Sequence, residues 1–381
     1  MKIKIIMTAV IFAVLAGAIF LLVGKEKEPP KDSETKIQDK IYVAVEGDAK
    51  IAVIGAKNKT LIDDIDLSLE KNGVRTLFMP HNVQVAPDNK TVWVTANVMN
   101  MGSNAGMNGA MNMNIGDEIV VINPLTDKII KIIETEAGSH LSHVVLTPDS
   151  DYAIAVAQVK GAVYKINAMT FEIEKEIQIE KGSEPHGIRI SPDGKTAYIA
   201  ALLGKKLAIL DIKNMSLSYL PLKGAAVQSA VTPDGKYALA SLFDAKSLAV
   251  YEIASKKLSY VDLPDAEGPM QIYPAPDSRY VYLADQGYYF NRYVGDSVYK
   301  IDLKDMRIAQ VVKSGYGPHG VVVSKDGKTV YVTNLLSNNL SVIDADTGKV
   351  SAKIKIGLMP NGVSLYYADD ATSSPSNDSK D

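Results

Sequence analysis

This 381-residue sequence predicts an all-β fold, a closed ring of seven four-stranded antiparallel blades. Three observations carry that prediction. An apolar strand repeatedly runs into Pro-Asp-Gly-Lys or a variant, and a second β-rich strand follows at once. The copies are VQVAPDNKTVWVTA from Val83, VVLTPDSDYAIAVA from Val144, IRISPDGKTAYIAA from Ile188, SAVTPDGKYALASL from Ser229, IYPAPDSRYVYLAD from Ile272 and VVVSKDGKTVYVTN from Val321. Central copies lie 41 to 44 residues apart, a period that marks repeated supersecondary units. Each copy is followed by a third, alternating strand such as KLAILDI from Lys206 and a more polar fourth such as SLSYLPL, which makes a four-stranded propeller blade. The third observation is a mismatch at the two ends. IYVAVEG from Ile41, KIAVIGA from Lys50 and TLIDDIDL from Thr60 match a second, third and fourth strand with no inner strand, while MPNGVSLYYA from Met359 is an inner strand with nothing after it. Joining the two completes a seventh blade and removes the free sheet edges of an open array.

The elements follow in chain order. Lys2 and Lys4 precede an apolar run from Ile5 to Val23, closed by Lys25 and Glu26. That run is near a bilayer span, so residues 1–24 are expected to form an uncleaved membrane anchor, with a signal peptide cleaved after Ala16-Gly17-Ala18 as the alternative. Positive charge on the N-terminal side sends the remainder out of the cytoplasm, to the periplasm or cell surface. Residues 25–39, rich in Lys, Glu and Pro, read as a polar linker. The propeller is expected over residues 40–368, and 369–381 have the composition of a disordered tail. Net charge is −3 without a long basic run, which argues against nucleic acid as a partner. The chain has no cysteine, which excludes disulfides, thiolate metal sites and Cys-x-x-Cys-His haem attachment.

Asp326-Gly327-Lys328 followed by Tyr331-Val332-Thr333-Asn334 resembles the signature of the YVTN-repeat propeller family, and the resemblance runs over roughly residues 40 to 368. It implies relatives among exported binding and surface proteins and the haem-binding propeller of the cytochrome-type nitrite reductases. Lactonase propellers are similar in architecture more than in motif. Such a resemblance implies the fold and does not choose among those functions.

If the Pro-Asp turns lie at the bottom, the segment before each inner strand and the loop between second and third strands share the top mouth. Four of the five histidines fall in that pre-strand segment: His81, His186 and His319, each after a proline, and His143 in SHLSHV. His140 is three residues before His143, an offset that turns the two side chains to opposite faces of an extended chain. Val227, Met270 and Asn361 take the place of His186 in other blades. One reading is structural: Pro fixes the backbone, Gly allows close approach, and His bonds the next blade. The other is a metal site, since neutral imidazole is a general transition-metal ligand.

The interval from Pro87 to Pro148 is longer by the stretch MNMGSNAGMNGAMNMN, which holds Met99, Met101, Met107, Met111 and Met113 without aliphatic or aromatic neighbours. Thioethers in such a setting suit Cu(I), with low-complexity filler as the alternative. The blade 6 loop DQGYYFNRYVGDS from Asp285 carries an aromatic cluster suited to a ligand or partner. No phosphate loop, HExxH helix or nucleophile elbow is present. The expected function is therefore an exported, membrane-tethered propeller that binds a metal or small ligand at its top mouth. Copper is the first candidate cofactor and haem is ranked below it. An envelope or redox protein is the expected partner, and no turnover is required. The alternatives are a lactonase-like or lyase-like enzyme using His186 or His319 as acid or base, a haem-binding propeller with one of His81, His186 or His319 as an axial or distal group, and a scaffold that binds proteins or glycans.

Overall fold

The computed structural model describes residues 38–71, 74–98, 115–368 and 370. The expected anchor, most of the linker, the methionine-rich stretch and most of the tail lie outside the described residues. Among the described residues no helix is long and apolar enough to cross a membrane.

Seven four-stranded antiparallel sheets form the ring. Blades 2 to 7 each run from inner to outer strand in chain order, with inner strands at Phe78–Val85, Leu141–Leu146, Pro185–Ile190, Ala226–Val231, Pro269–Pro274 and Pro318–Val323. Blade 1 is split: Lys40–Val45, Lys50–Gly55 and Thr60–Asp66 come from the start, and Pro360–Tyr366 from the end. Lys40 pairs with Tyr366 and Val45 with Pro360, so the closure expected from the two mismatched ends is the one observed.

The alternating strands bury apolar residues on both faces of a blade, so the core is divided into seven clusters, one between each pair of neighbours. Tyr42 and Val53 of blade 1 pack with Val94 and Val120 of blade 2. Trp93 packs with Ala155 between blades 2 and 3, and Ile41 and Ile54 pack with Val322 and Leu340 between blades 1 and 7. The sole tryptophan is therefore a core residue, its indole N–H bonded to Thr91. A buried ion pair reinforces the seam beside the closure: Lys40 reaches Asp127 of blade 2 at 2.6 Å and the Pro124 carbonyl at 2.7 Å.

The repeated turn has a local cause. In Ser191-Pro-Asp-Gly-Lys the Ser191 hydroxyl donates to Asp193 at 2.6 Å, and the same carboxylate oxygen accepts the Lys195 N–H at 3.1 Å. Gly194 sits at φ +73, a left-handed conformation that carries no Cβ penalty in glycine. Thr232 with Asp234 and Ser324 with Asp326 repeat the arrangement. A small hairpin, Leu69–Lys71 with Val74–Thr76, joins blades 1 and 2 and has no counterpart in the repeat. Its base is held by Arg75, which bonds Asp66 and Ser68.

Candidate functional site

Near the start of each inner strand the pairing with the second strand slips, in all seven blades. Such bulges re-aim side chains. His81, His186 and His319 occupy the first position after the paired proline. In blade 3 that position is Ser142 and His143 follows it, level with Gly187 in blade 4. Glycine is needed where the next blade crowds in: a Cβ on Gly320 would fall onto the Asn361 carbonyl.

The bulges bring four imidazoles together on the channel axis. Ring centroids are 5.3 Å apart for His81 and His186, 5.2 Å for His143 and His186, 5.7 Å for His81 and His143, and 6.2 Å for His81 and His319. One nitrogen from each of His81, His143 and His186 lies within 4.8 Å of the other two. His143, His186 and His319 are buried, and His81 is half-buried. His140 is exposed at φ 49, its backbone N–H held by Asp117.

Every ring has one nitrogen tied to the scaffold. The Val227 carbonyl is 3.0 Å from His186 Nδ1; a carbonyl only accepts, so the proton sits on Nδ1 and Nε2 keeps its lone pair. The Gln271 amide nitrogen lies 3.2 Å from His143 Nε2 across the channel, Gln286 lies 2.8 Å from His319 Nδ1, and Asn361 lies 3.2 Å from His81 Nδ1. The opposite nitrogens, His81 Nε2, His143 Nδ1 and His319 Nε2, are buried without a hydrogen-bond partner. Loss of water drives all four rings toward the neutral form. His81 and His186 fall to about 3, and His143 and His319 fall well below the ordinary value, with neighbouring rings adding to the effect.

The blade 6 loop covers this cluster. Phe290 stacks on Phe243 at 3.6 Å and Arg292 lies over the same ring. This anchor turns Tyr289 inward, edge-on to His319 at 5.6 Å, with its hydroxyl donating to Glu46 at 2.9 Å. Glu46 also accepts from Asn361 at 2.8 Å, and its carboxyl is raised by burial, against the two hydrogen bonds. Tyr293 remains 84% exposed, and Val159 and Tyr316 on the top loops of other blades are 59% and 65% exposed, giving the mouth an apolar rim.

Of the sequence-predicted site residues, His81, His143, His186 and His319 come together. Met270 is buried on blade 6 beside Gln271, and Met99, Met101, Met107, Met111 and Met113 lie outside the described residues. Asp117 and Asp285 serve backbone N–H groups, of Val98 and His140 and of Glu267 and Gly268. Glu46 and Gln286 were not anticipated. Their partners are distant in sequence, and no local motif marks them.

A family model described as YNCE-like beta-propeller matches residues 218–372. No curated protein matches the chain in sequence. Among solved structures, a functionally unknown protein from Desulfotomaculum acetoxidans shares 16% identity at a TM-score of 0.68, covering 86% of this chain and 99% of its own. The periplasmic gluconolactonase PpgL of Pseudomonas aeruginosa shares 16% at 0.66, covering 87% and 99%. The dihydro-heme d1 dehydrogenase NirN in complex with DHE shares 13% at 0.58, covering 90% and 78%. At these identities the likeness is one of fold, and the YVTN signature remains a resemblance of motif. The ranking of copper above haem is corrected. The donors brought together are imidazoles, which do not select copper over other transition metals, and the same propeller fold occurs in a protein whose own description names a haem d1 substrate.

Proposed function

We propose that the top mouth holds a metal centre ligated by His81, His143 and His186. The observation that carries this reading is convergence: one nitrogen from each of the three rings lies within 4.8 Å of the other two, each ring has a nitrogen bonded to the scaffold, and the opposite nitrogens of His81 and His143 are buried without a partner. At His186 the Val227 carbonyl takes the Nδ1 proton, the arrangement in which an outer hydrogen bond orients a metal-binding imidazole. At His81 and His143 the amide N–H groups of Asn361 and Gln271 donate to the ring and leave its proton on the far nitrogen, so metal binding there turns those amides and moves that proton across the ring. Low basicity supports it as well, because a ring that stays neutral does not need to lose a proton to bind a cation. A second form of the same reading has the metal arrive as the iron of a tetrapyrrole, with the half-buried His81 holding it. The apolar rim of Val159, Tyr293 and Tyr316 and the fold shared with NirN support that form.

Titration of metal-free protein with Co²⁺ and, separately, with haem separates the two. A bare-ion site is expected to give visible ligand-field bands that vanish in His186→Ala and in His81→Ala. A tetrapyrrole site is expected to give a saturable Soret shift lost in His81→Ala. Absence of both in a cooperatively folded protein would leave the histidines as scaffold. The reading includes export, from the lysines and apolar run at the N-terminus; the propeller is then expected to be cut by protease added to spheroplasts, and protection equal to that of a cytosolic marker would overturn it.

A further inference from the structure

The opposite end of the channel carries a different chemistry. The Pro-Asp turns surround a cavity of about 370 Å³ whose lining includes Arg189, Tyr273, Val322, Val363 and Leu365. The seven blades place Gln84, Val145, Arg189, Ala230, Tyr273, Val322 and Ser364 at one register level of the inner strands, opposite Trp93, Ile154, Tyr198, Leu239, Tyr282, Tyr331 and Tyr42. Arg189 is the one charged member of that ring. Lys325 and Asp370, at the cavity's edge, pair with each other at 2.7 and 2.8 Å. Among the described residues the guanidinium makes a single hydrogen bond, from Nη1 to the Ile188 carbonyl at 2.8 Å, and no ion pair. It is half-buried. Four of its five N–H groups therefore remain for a ligand.

We propose that this bottom mouth binds a small organic monocarboxylate, with the free edge of Arg189 taking the carboxylate and the apolar part lying against Tyr273, Val322 and Val363. A guanidinium offers a fork that matches a carboxylate in bidentate geometry. A single unpaired positive charge in a largely apolar wall fits one negative charge on an apolar body better than it fits a doubly charged phosphate. Ligand sites of this size commonly combine apolar walls with one or two orienting polar groups. The site is separate from the histidine mouth, and its test does not involve metal.

Benzoate serves as the probe in calorimetric titration of the full chain, with benzyl alcohol as the uncharged equivalent and inorganic phosphate as the bare anion. Benzoate is expected to bind saturably with one site per chain. Arg189→Gln is expected to weaken it by about tenfold or more, the loss of charged hydrogen bonds, and Arg189→Lys by less, since it keeps the charge without the fork. Benzyl alcohol is expected not to compete. Failure of benzoate to bind folded wild-type protein at millimolar concentration would overturn the proposal, as would equal binding by Arg189→Gln, or phosphate binding as tightly as benzoate. If Arg189→Gln lacks a cooperative melt, the wild-type ligand series and Arg189→Lys decide.

Discussion

A single carboxylate organises each repeated turn by accepting a backbone N–H two residues after it, and at Asp149, Asp193, Asp234 and Asp326 it also accepts a hydroxyl two residues before it, whereas Asp88 and Asp277 follow alanine there. Where glycine is absent from the fourth place, Asn89, Ser150 and Ser278 adopt the same left-handed backbone at φ 55, 63 and 59. Their side chains tie the turns to other segments: Ser150 accepts the Asp88 N–H, Ser278 the Asp234 N–H and Asn89 the Tyr367 N–H. Gly194 to alanine is therefore expected to destabilise the protein by about 1–2 kcal/mol, with Pro148 close enough to the new Cβ, at 3.2 Å, to add to it. Urea unfolding checks this, and an unchanged midpoint would show that the turn relaxes freely. The histidines divide differently between legible and hidden. A preceding proline marked three of them in the sequence, with glycine after His186 and His319 and Asn82 after His81. His143 sits one place later and was separable from His140 only by strand alternation. Glu46 was invisible: its partners Tyr289 and Asn361 lie 243 and 315 residues away, so only ring closure puts them in contact.

At the level of elements, the C-terminal strand has two tasks. Pro360–Tyr366 completes the hydrogen bonding of Lys40–Val45, and its side chains enter two inter-blade cores, Tyr366 in the one with blade 2 and Val363 and Leu365 in the one with blade 7. Truncation before Met359 would expose an inner edge and two apolar faces together, so aggregation or loss of the cooperative melt is expected. A monomeric truncated protein with a wild-type thermal transition would mean that six blades and a remnant suffice. This closure was legible because strand order is a local signal that can be counted in each repeat. The Leu69–Thr76 hairpin was not, since three-residue strands carry too little alternation to stand out. The blade 6 loop was legible as an aromatic cluster, but which aromatic faces the mouth depends on the stacking of Phe290 on Phe243 from the next blade.

The whole molecule concentrates its unfavourable electrostatics on the axis, where seven inner strands meet and water is scarce. Four rings there resist protonation, and Arg189 further along the channel lowers His143 in addition. An ordinary histidine titrates at 6.5, whereas folded His81 and His186 do so at about 3. Between those values the unfolded chain binds protons that the folded chain does not, so unfolding takes up protons and stability falls as pH falls. The contribution is fully present above pH 6.5 and is lost progressively toward about 3, with a slope of up to about 1.4 kcal/mol per pH unit for each ring. Glu46, Asp117 and Asp285 act in the other direction. Burial raises them, so the folded state takes up their protons first and gains from acid, which flattens the curve near the carboxylate range. The onset below 6.5 therefore belongs to the histidines. Calorimetric melting of the ligand-free chain is expected to show a plateau above that pH and a falling transition temperature below it, with a shallower fall in His186→Gln because one proton-binding difference is removed. A transition temperature that stays flat until the carboxylates titrate, in wild type and variant alike, would mean that the axial rings are hydrated and free to protonate.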